Sequence, residues 1–179
     1  MTITSTDGFL WGAALVGCLT LTGCATIDEG EVVLEVVAYG IIENEGVTVR
    51  ADETSSIGAK RVDGRAMRIA AMTDRVPLRP GLSYGIAFRV SRAPRPEVPI
   101  KAVLRTSASC VLKTSGEVVH HNDTLLLVKV GQLRHIGARI PASESENPCV
   151  GDPGPGTDTL ELYFEERKLA ERRFEIYRE

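Results

Sequence analysis

Tryptophan occurs once, at Trp11, and histidine three times, so the chain is poor in the residues that build stacking platforms and metal centres. Four Phe and four Tyr complete the aromatic stock, which argues against a surface that stacks sugars or bases. Neither sign of charge dominates, with 21 Lys and Arg against 24 Asp and Glu. Nothing in that balance suits a polyanion, and a nucleic-acid partner is not expected. No apolar run approaches the roughly 20 residues of a membrane-spanning helix. Cysteine is scarce as well, at four residues, and no internal repeat is visible.

What is present is concentrated at the start. Phe9 to Leu21 (FLWGAALVGCLTL) carries no charge and has the length of the apolar region of a signal peptide. It runs into Leu21-Thr22-Gly23-Cys24, which resembles a bacterial lipobox: an aliphatic residue, two small ones, then cysteine. Small residues let the backbone enter a peptidase as an extended strand, and the Cys24 thiol is the nucleophile that takes diacylglycerol. One feature departs from that pattern: Met1 to Gly8 contains no Lys or Arg, where a signal peptide ordinarily carries one. Residues 1–23 are read as a cleaved signal-peptide helix, 24–30 as an acylated tether and 31–179 as one domain. Ala25 follows the cysteine, where an aspartate typically retains a lipoprotein in the inner membrane. The expected address is therefore the cell envelope, anchored to the outer membrane and facing the periplasm.

Removing residues 1–23 of 179 leaves 156, enough for a single domain with a real core. Only Asp7 among the charged side chains leaves with that piece, so the mature balance is near −2. Cys18 leaves too and Cys24 is acylated, which leaves Cys110 and Cys149 as an even pair in an oxidising compartment. They are expected to form a disulfide.

Glu31 to Ile42 (EVVLEVVAYGII) is rich in β-branched residues, with Val32, Leu34, Val36, Ala38 and Ile42 on one face. Glu43 to Gly64 reads as a long polar excursion with a short strand at Val47–Arg50. Arg65 to Val76 reads as a second strand. Leu82 to Val90 alternates strictly: Leu82, Tyr84, Ile86, Phe88 and Val90 face one way, Ser83, Gly85, Ala87 and Arg89 the other. Ile100–Arg105, Thr124–Val130 and Arg134–Ile140 are further strands, and Ala142–Thr157 is a Pro-, Gly- and Ser-rich loop.

The C-terminal LELYFEERKLAERRFEIYRE is full of helix formers. Its helical pattern is nevertheless poor: Leu162, Leu169 and Ile176 recur every seven, but Glu165, Glu166, Arg172 and Arg173 interrupt that face, and Phe164 and Phe174 fall outside it. As strands, Leu160, Leu162 and Phe164 share a face, as do Phe174 and Ile176, with a turn at Glu166–Lys168. A terminal hairpin follows. Seven or eight short strands without a good helix add up to an all-β antiparallel sandwich.

Three stretches together resemble a family of uncharacterised bacterial secreted proteins, a domain of unknown function. They are Tyr39-Gly40-Ile41, VPLRPGLSYGIAFRV (76–90) and ELYFEERKLAERRFEIY. The matching positions are Pro77, Gly81, Tyr84 and Gly85, then Leu169, Ala170, Phe174 and Ile176. The resemblance covers 31–179 and implies an immunoglobulin-like sandwich. It implies no activity, and these positions read as packing and turn residues.

Candidate sites are few. Gly81-Leu82-Ser83-Tyr84-Gly85 fits the G-x-S-x-G nucleophile elbow, and Asp123 and His135 follow it in the chain. That motif needs a strand before the serine and a helix after it, whereas Ser83 lies inside an alternating strand. His120-His121-Asn122-Asp123 is the densest set of metal-ligand types, with His120, His121 and Asp123 as weak candidates. In a strand adjacent side chains diverge, but in a turn these three could converge on one ion. A polar hairpin loop suits the same residues. Lys60, Arg61, Arg65 and Arg68 concentrate positive charge that reads as a solvated face, although an acidic partner or lipid headgroup would also suit it. No catalytic residue, cofactor or metal is expected. The leading expectation is a non-catalytic module that binds another envelope protein, held to the membrane by acyl groups on Cys24. The alternatives are a metal-dependent or serine hydrolase of the envelope, and a small-molecule or ion-binding accessory protein walled by Glu43–Gly64.

Overall fold

Ten residues, Ser83–Arg92, form the strand around which one sheet is built, and their alternation explains why. Tyr84, Ile86, Phe88 and Val90 all point inward and are buried. Burying a side chain such as Phe88 stabilises the fold by about 1.5–3 kcal/mol, and no helix would bury four at this spacing.

The computed structural model describes residues 31–45, 48–51, 60–63, 66–151 and 153–179, so the signal-peptide helix, the lipobox and Cys24 lie outside the described residues. In chain order the strands are β1 (Val33–Glu45), β2 (Thr48–Ala51), β3 (Lys60–Asp63), β4 (Ala66–Ala71), β5 (Arg75–Pro77), β6 (Ser83–Arg92), β7 (Glu97–Val111), β8 (Val118–Lys129), β9 (Leu133–Arg139), β10 (Gly156–Phe164) and β11 (Arg167–Tyr177). They form a four-stranded sheet in the order β4-β1-β6-β9, a five-stranded sheet β5-β11-β10-β7-β8, and a separate hairpin β2-β3. Val32, Val76, Phe88, Ile100, Leu162 and Phe174 are among the residues that fill the space between the two larger sheets. The chain is an all-β sandwich of two facing sheets. None of the described residues forms a helix long and apolar enough to cross a membrane.

The architecture departs from expectation in four places. The two large sheets hold nine strands rather than seven or eight. One pairing is parallel, β5 against β11, so the five-stranded sheet is mixed. The second expected strand is broken: Arg65–Val76 becomes β4 and β5, with β4 pairing in one sheet and β5 in the other. The His120–Asp123 segment is no loop, because β8 runs unbroken from Val118 to Lys129.

The C-terminal hairpin does form, against its helix propensity. Leu160 and Leu162 of β10 and Phe174 and Ile176 of β11 all reach the core. That burial outweighs propensity differences of a few tenths of a kcal/mol per residue. Its turn is Glu165-Glu166, one residue earlier than expected, and Glu165 takes a positive φ of 53°.

Candidate functional site

The hydrolase constellation is not assembled. β6 begins at Ser83, just after the Pro80-Gly81 turn, so no strand leads into the serine and no helix follows it, the reverse of what the elbow needs. Ser83 is buried, and its Oγ lies 3.4 Å from Asn44 Nδ2. His135 pairs with Ala87, four residues along β6 from Ser83 and so about 13 Å away at 3.3 Å per residue. Asp123 belongs to the other sheet.

The candidate metal ligands also diverge. His121 and Asp123 alternate onto the outer face of β8, and His120 faces the other way. Asp123 Oδ2 accepts a salt bridge from Lys101 Nζ at 3.2 Å. Among the described residues no three His, Cys, Asp or Glu side chains are placed to hold one ion. Of the four clustered cations, Arg68 is described with its side chain: it bonds Glu43 at 2.6 Å on the rim of the four-stranded sheet.

Cys110 and Cys149 are disulfide-bonded, 39 residues apart. The bond fastens the Pro- and Gly-rich loop to the end of β7. Backbone bonds from Val150 to Val111 and from Lys113 to Pro148 extend the seam, and Asn147 braces it with side-chain bonds to Cys149 and Gly151.

The surface that stands out is the outer face of the five-stranded sheet. Register aligns Glu171, Glu161, Val103 and Asp123 in one row across β11, β10, β7 and β8. A basic residue flanks that row on each side along β7, Lys101 and Arg105. Glu161, with only 7% of its side chain exposed, takes Arg105 Nε at 2.8 Å, Lys168 Nζ at 2.7 Å and the Tyr163 hydroxyl at 3.0 Å. Burial alone would raise its pKa, but hydrogen bonds from Lys168, Arg105 and Tyr163 outweigh that and bring it to about 2. Lys168 also meets Glu171 at 2.6 Å, and its two carboxylate partners raise its own pKa.

This lattice of paired charge ends at β8. There the outer face changes to Leu125 and Leu127, each 59% exposed. Among the described residues no strand pairs with the far side of β8, so twelve residues of backbone form an open edge. Long apolar edges are templates for another strand, and proteins usually blunt them with Lys, Pro or a bulge. The other sheet ends differently: β9 is seven residues long and carries Arg134, His135 and Arg139.

Two features were not read from the sequence. Gly40, Gly85 and Gly137 lie opposite one another across β1, β6 and β9. A Cβ on Gly85 would press into the Ile136 carbonyl and sit 2.5 Å from the Gly137 Cα. Gly85 and Gly137 bring β6 and β9 closer than side chains allow, and Gly40 does the same for β1 against Ala71 and Thr73. The pairing of alternate positions could have been tried on these glycines, but register across three strands is not local information. The second feature is a buried bond across the sandwich, donated by the Tyr84 hydroxyl to Asp158 of β10. The Tyr84 ring packs edge-on to Phe174 at 5.3 Å. Burial raises the pKa of both Tyr84 and Asp158.

No family model matches the chain, and no curated protein matches it either. Solved structures do. One is an immunoglobulin-like protein from Pseudomonas aeruginosa, with a TM-score of 0.57 and 17% identity over 83% of this chain and 98% of that one. At that identity the likeness speaks for the fold alone. The sandwich is immunoglobulin-like.

Proposed function

We propose that this chain is a bacterial envelope lipoprotein, anchored by acyl groups on Cys24, whose sandwich is a non-catalytic protein-binding module. The anchor rests on the apolar stretch Phe9–Leu21 and the run Leu21-Thr22-Gly23-Cys24. The observation that carries the binding role is the open edge of β8 with Leu125 and Leu127 exposed on it. Elsewhere on that sheet face Arg105, Glu161, Lys168 and Glu171 are already paired within the chain. An immunoglobulin-like sandwich suits an interaction module, because its loops and edges vary without disturbing the core. Ala25 after the cysteine favours outer-membrane attachment, and we take the domain to face the periplasm. The chain enters the sandwich beside the β10–β11 turn, where Arg167 binds Glu31 and the Val32 carbonyl. The membrane-facing end is then the end that holds Lys129, so β8 runs toward the anchor.

The test is in-cell crosslinking of the full chain beside a Cys24→Ala form, with metabolic acyl labelling of both. Label on the first form alone, together with a protein captured by it and lost from Cys24→Ala, is the expected result. Turnover of an ester, peptide or glycan by the purified chain, abolished by changing one polar residue, would replace this reading with an enzymatic one.

A further inference from the structure

The open edge of β8 is built to pair with itself. In the β7–β8 ladder the Val130 N–H bonds the Pro96 carbonyl, which places the even-numbered residues of β8 toward β7. The N–H and C=O groups of Asp123, Leu125, Leu127 and Lys129 therefore point to the free side. The same four residues carry their side chains on the outer face, since both alternations have a period of two. Burial agrees: Leu125, Leu127 and Lys129 are exposed, whereas Leu126 packs on the core and Val128 is fully buried.

When a strand pairs antiparallel with its own copy about a twofold axis, residue i meets residue 2k − i, where k is the pivot. With the pivot at Leu126, Leu125 faces the Leu127 of the other copy, twice over by symmetry. In the same register Asp123 faces Lys129, again twice. Shifting the pivot to Leu125 sets Asp123 against Leu127 and leaves Lys129 against His121. Shifting it to Leu127 sets Leu125 against Lys129 and Asp123 against Gly131. Of these registers only the Leu126 pivot matches apolar to apolar and acid to base at once. No bulge interrupts β8 between His121 and Lys129, and no proline lies in the strand. Of the usual protections of an edge only a charge, Lys129, lies where this pairing would run, and there Asp123 matches it.

We infer that β8 docks a second copy of this chain, antiparallel and centred on Leu126, joining two five-stranded sheets into one ten-stranded sheet. An interface related by a twofold axis uses the same patch on both partners, which a self-complementary strand supplies. Pairing adds backbone hydrogen bonds along the edge and covers four exposed leucines. Asp123 already bonds Lys101 of its own sheet, so the Lys129 of the second copy would extend that bridge into a chain of alternating charge. The inference rests on the reading of β8 as the docking edge, and it names the occupant.

Two measurements on the full chain in its envelope separate the possibilities. First, a photo-crosslinking residue replaces Leu127, with the same residue at Arg173 of β11 as a control inside the sheet. A crosslinked product of twice the chain's mass from Leu127, and not from Arg173, is expected. A product containing a different protein would overturn self-pairing and leave β8 as a docking edge; no product at all would overturn both. Second, two differently tagged copies are co-expressed and one is pulled down from detergent. Recovery of the second tag should fall at least fivefold when both copies carry Asp123→Lys, and likewise when both carry Lys129→Asp. Co-expressing one copy of each variant restores both opposed pairs and should return recovery to near the unaltered level. Failure of the mixed pair to recover, with each variant melting like the parent, overturns the Leu126 register.

Discussion

The middle of the four-stranded sheet is stripped to backbone, while the outer face of the five-stranded sheet is crowded with matched charge. Gly40, Gly85 and Gly137 form a row in the first, and Glu171, Glu161, Val103 and Asp123 form a row in the second. Each row spans neighbouring strands in perfect register, so the difference is one of side chains alone. In the glycine row stability comes from what is absent: there is no volume to accommodate, and the backbones close up. In the charged row it comes from what is present, and each member can be exchanged at modest cost while its neighbours remain. A sheet held by missing atoms should break abruptly when an atom is added, and one held by a lattice should weaken by degrees.

The largest effect is expected at Gly40. Its φ of 135° is strained for any L side chain, and a Cβ there would press into the Ala71 carbonyl and sit 2.8 Å from Thr73 N. Strain of about 1–3 kcal/mol and overpacking of about 1–3 kcal/mol combine to about 4 kcal/mol for Gly40→Ala. In a domain this size that lowers Tm by about 10 °C or more. Gly116 is the control, with φ of 71° but open space around it. Gly116→Ala should cost about 1 kcal/mol, the left-handed penalty alone. Equal melting of the two variants would mean that β1 is not close-packed against Ala71 and Thr73 at Gly40.

Next comes the bond that joins the two sheets. Tyr84→Phe removes the donor to Asp158 and leaves a buried carboxylate short of a partner, at a cost of about 2 kcal/mol. The pH dependence has a definite sign. Burial raises Asp158, so the folded state binds its proton more readily than the unfolded chain. Its contribution is fully present below the unfolded value of about 4 and is lost as pH rises through the folded one. Asp158→Asn mimics the protonated form, so its stability relative to the parent should improve as pH rises from 4 to 7. Thermal melts across that range check it.

Glu161 lies on the same strand three residues on, faces outward, and has the opposite slope. Its carboxyl is held at about 2, so its contribution is present above the unfolded value of about 4.3 and is lost as pH falls toward 2. Arg105 and Lys168 are about half exposed, and solvent screening discounts the shift. Glu161→Gln should cost about 1–2 kcal/mol at pH 7 and flatten the melting curve between pH 5 and 2. If it matches the parent at pH 7 and is still as acid-sensitive, the lattice contributes nothing there.

The alternating strand at Leu82–Val90 and the terminal hairpin were legible because burial repeats every two residues, and that signal is local. The hairpin was legible against propensity, since Phe164 and Phe174 fall outside the helical face of Leu162, Leu169 and Ile176 but reach the core as strand residues. The His120–Asp123 segment misled, because polar residues resemble a turn when the strand is an edge with one face in water. Cys110 and Cys149 were paired by elimination, and nothing else in the sequence placed them. The glycine row, the charge lattice and the self-matching register of β8 all depend on which strand lies beside which. Pair order is set by long-range packing that no single stretch of sequence carries.

The smallest expected effect is the sharpest test of the contrast. Arg68 and Glu43 form a 2.6 Å ion pair on the four-stranded sheet, a distance no worse than any in the Glu161 cluster. The difference is exposure: these side chains are 75% and 56% exposed, against 7% for Glu161. Exposed pairs gain little, because water screens the attraction and ordering two long side chains costs entropy. Glu43→Gln should therefore change stability by less than about 0.5 kcal/mol and leave the acid limb of the melting curve unchanged. A loss as large as that of Glu161→Gln would mean that distance, and not burial in a lattice, sets the worth of these bridges. The contrast between the two sheets would then reduce to the glycines alone.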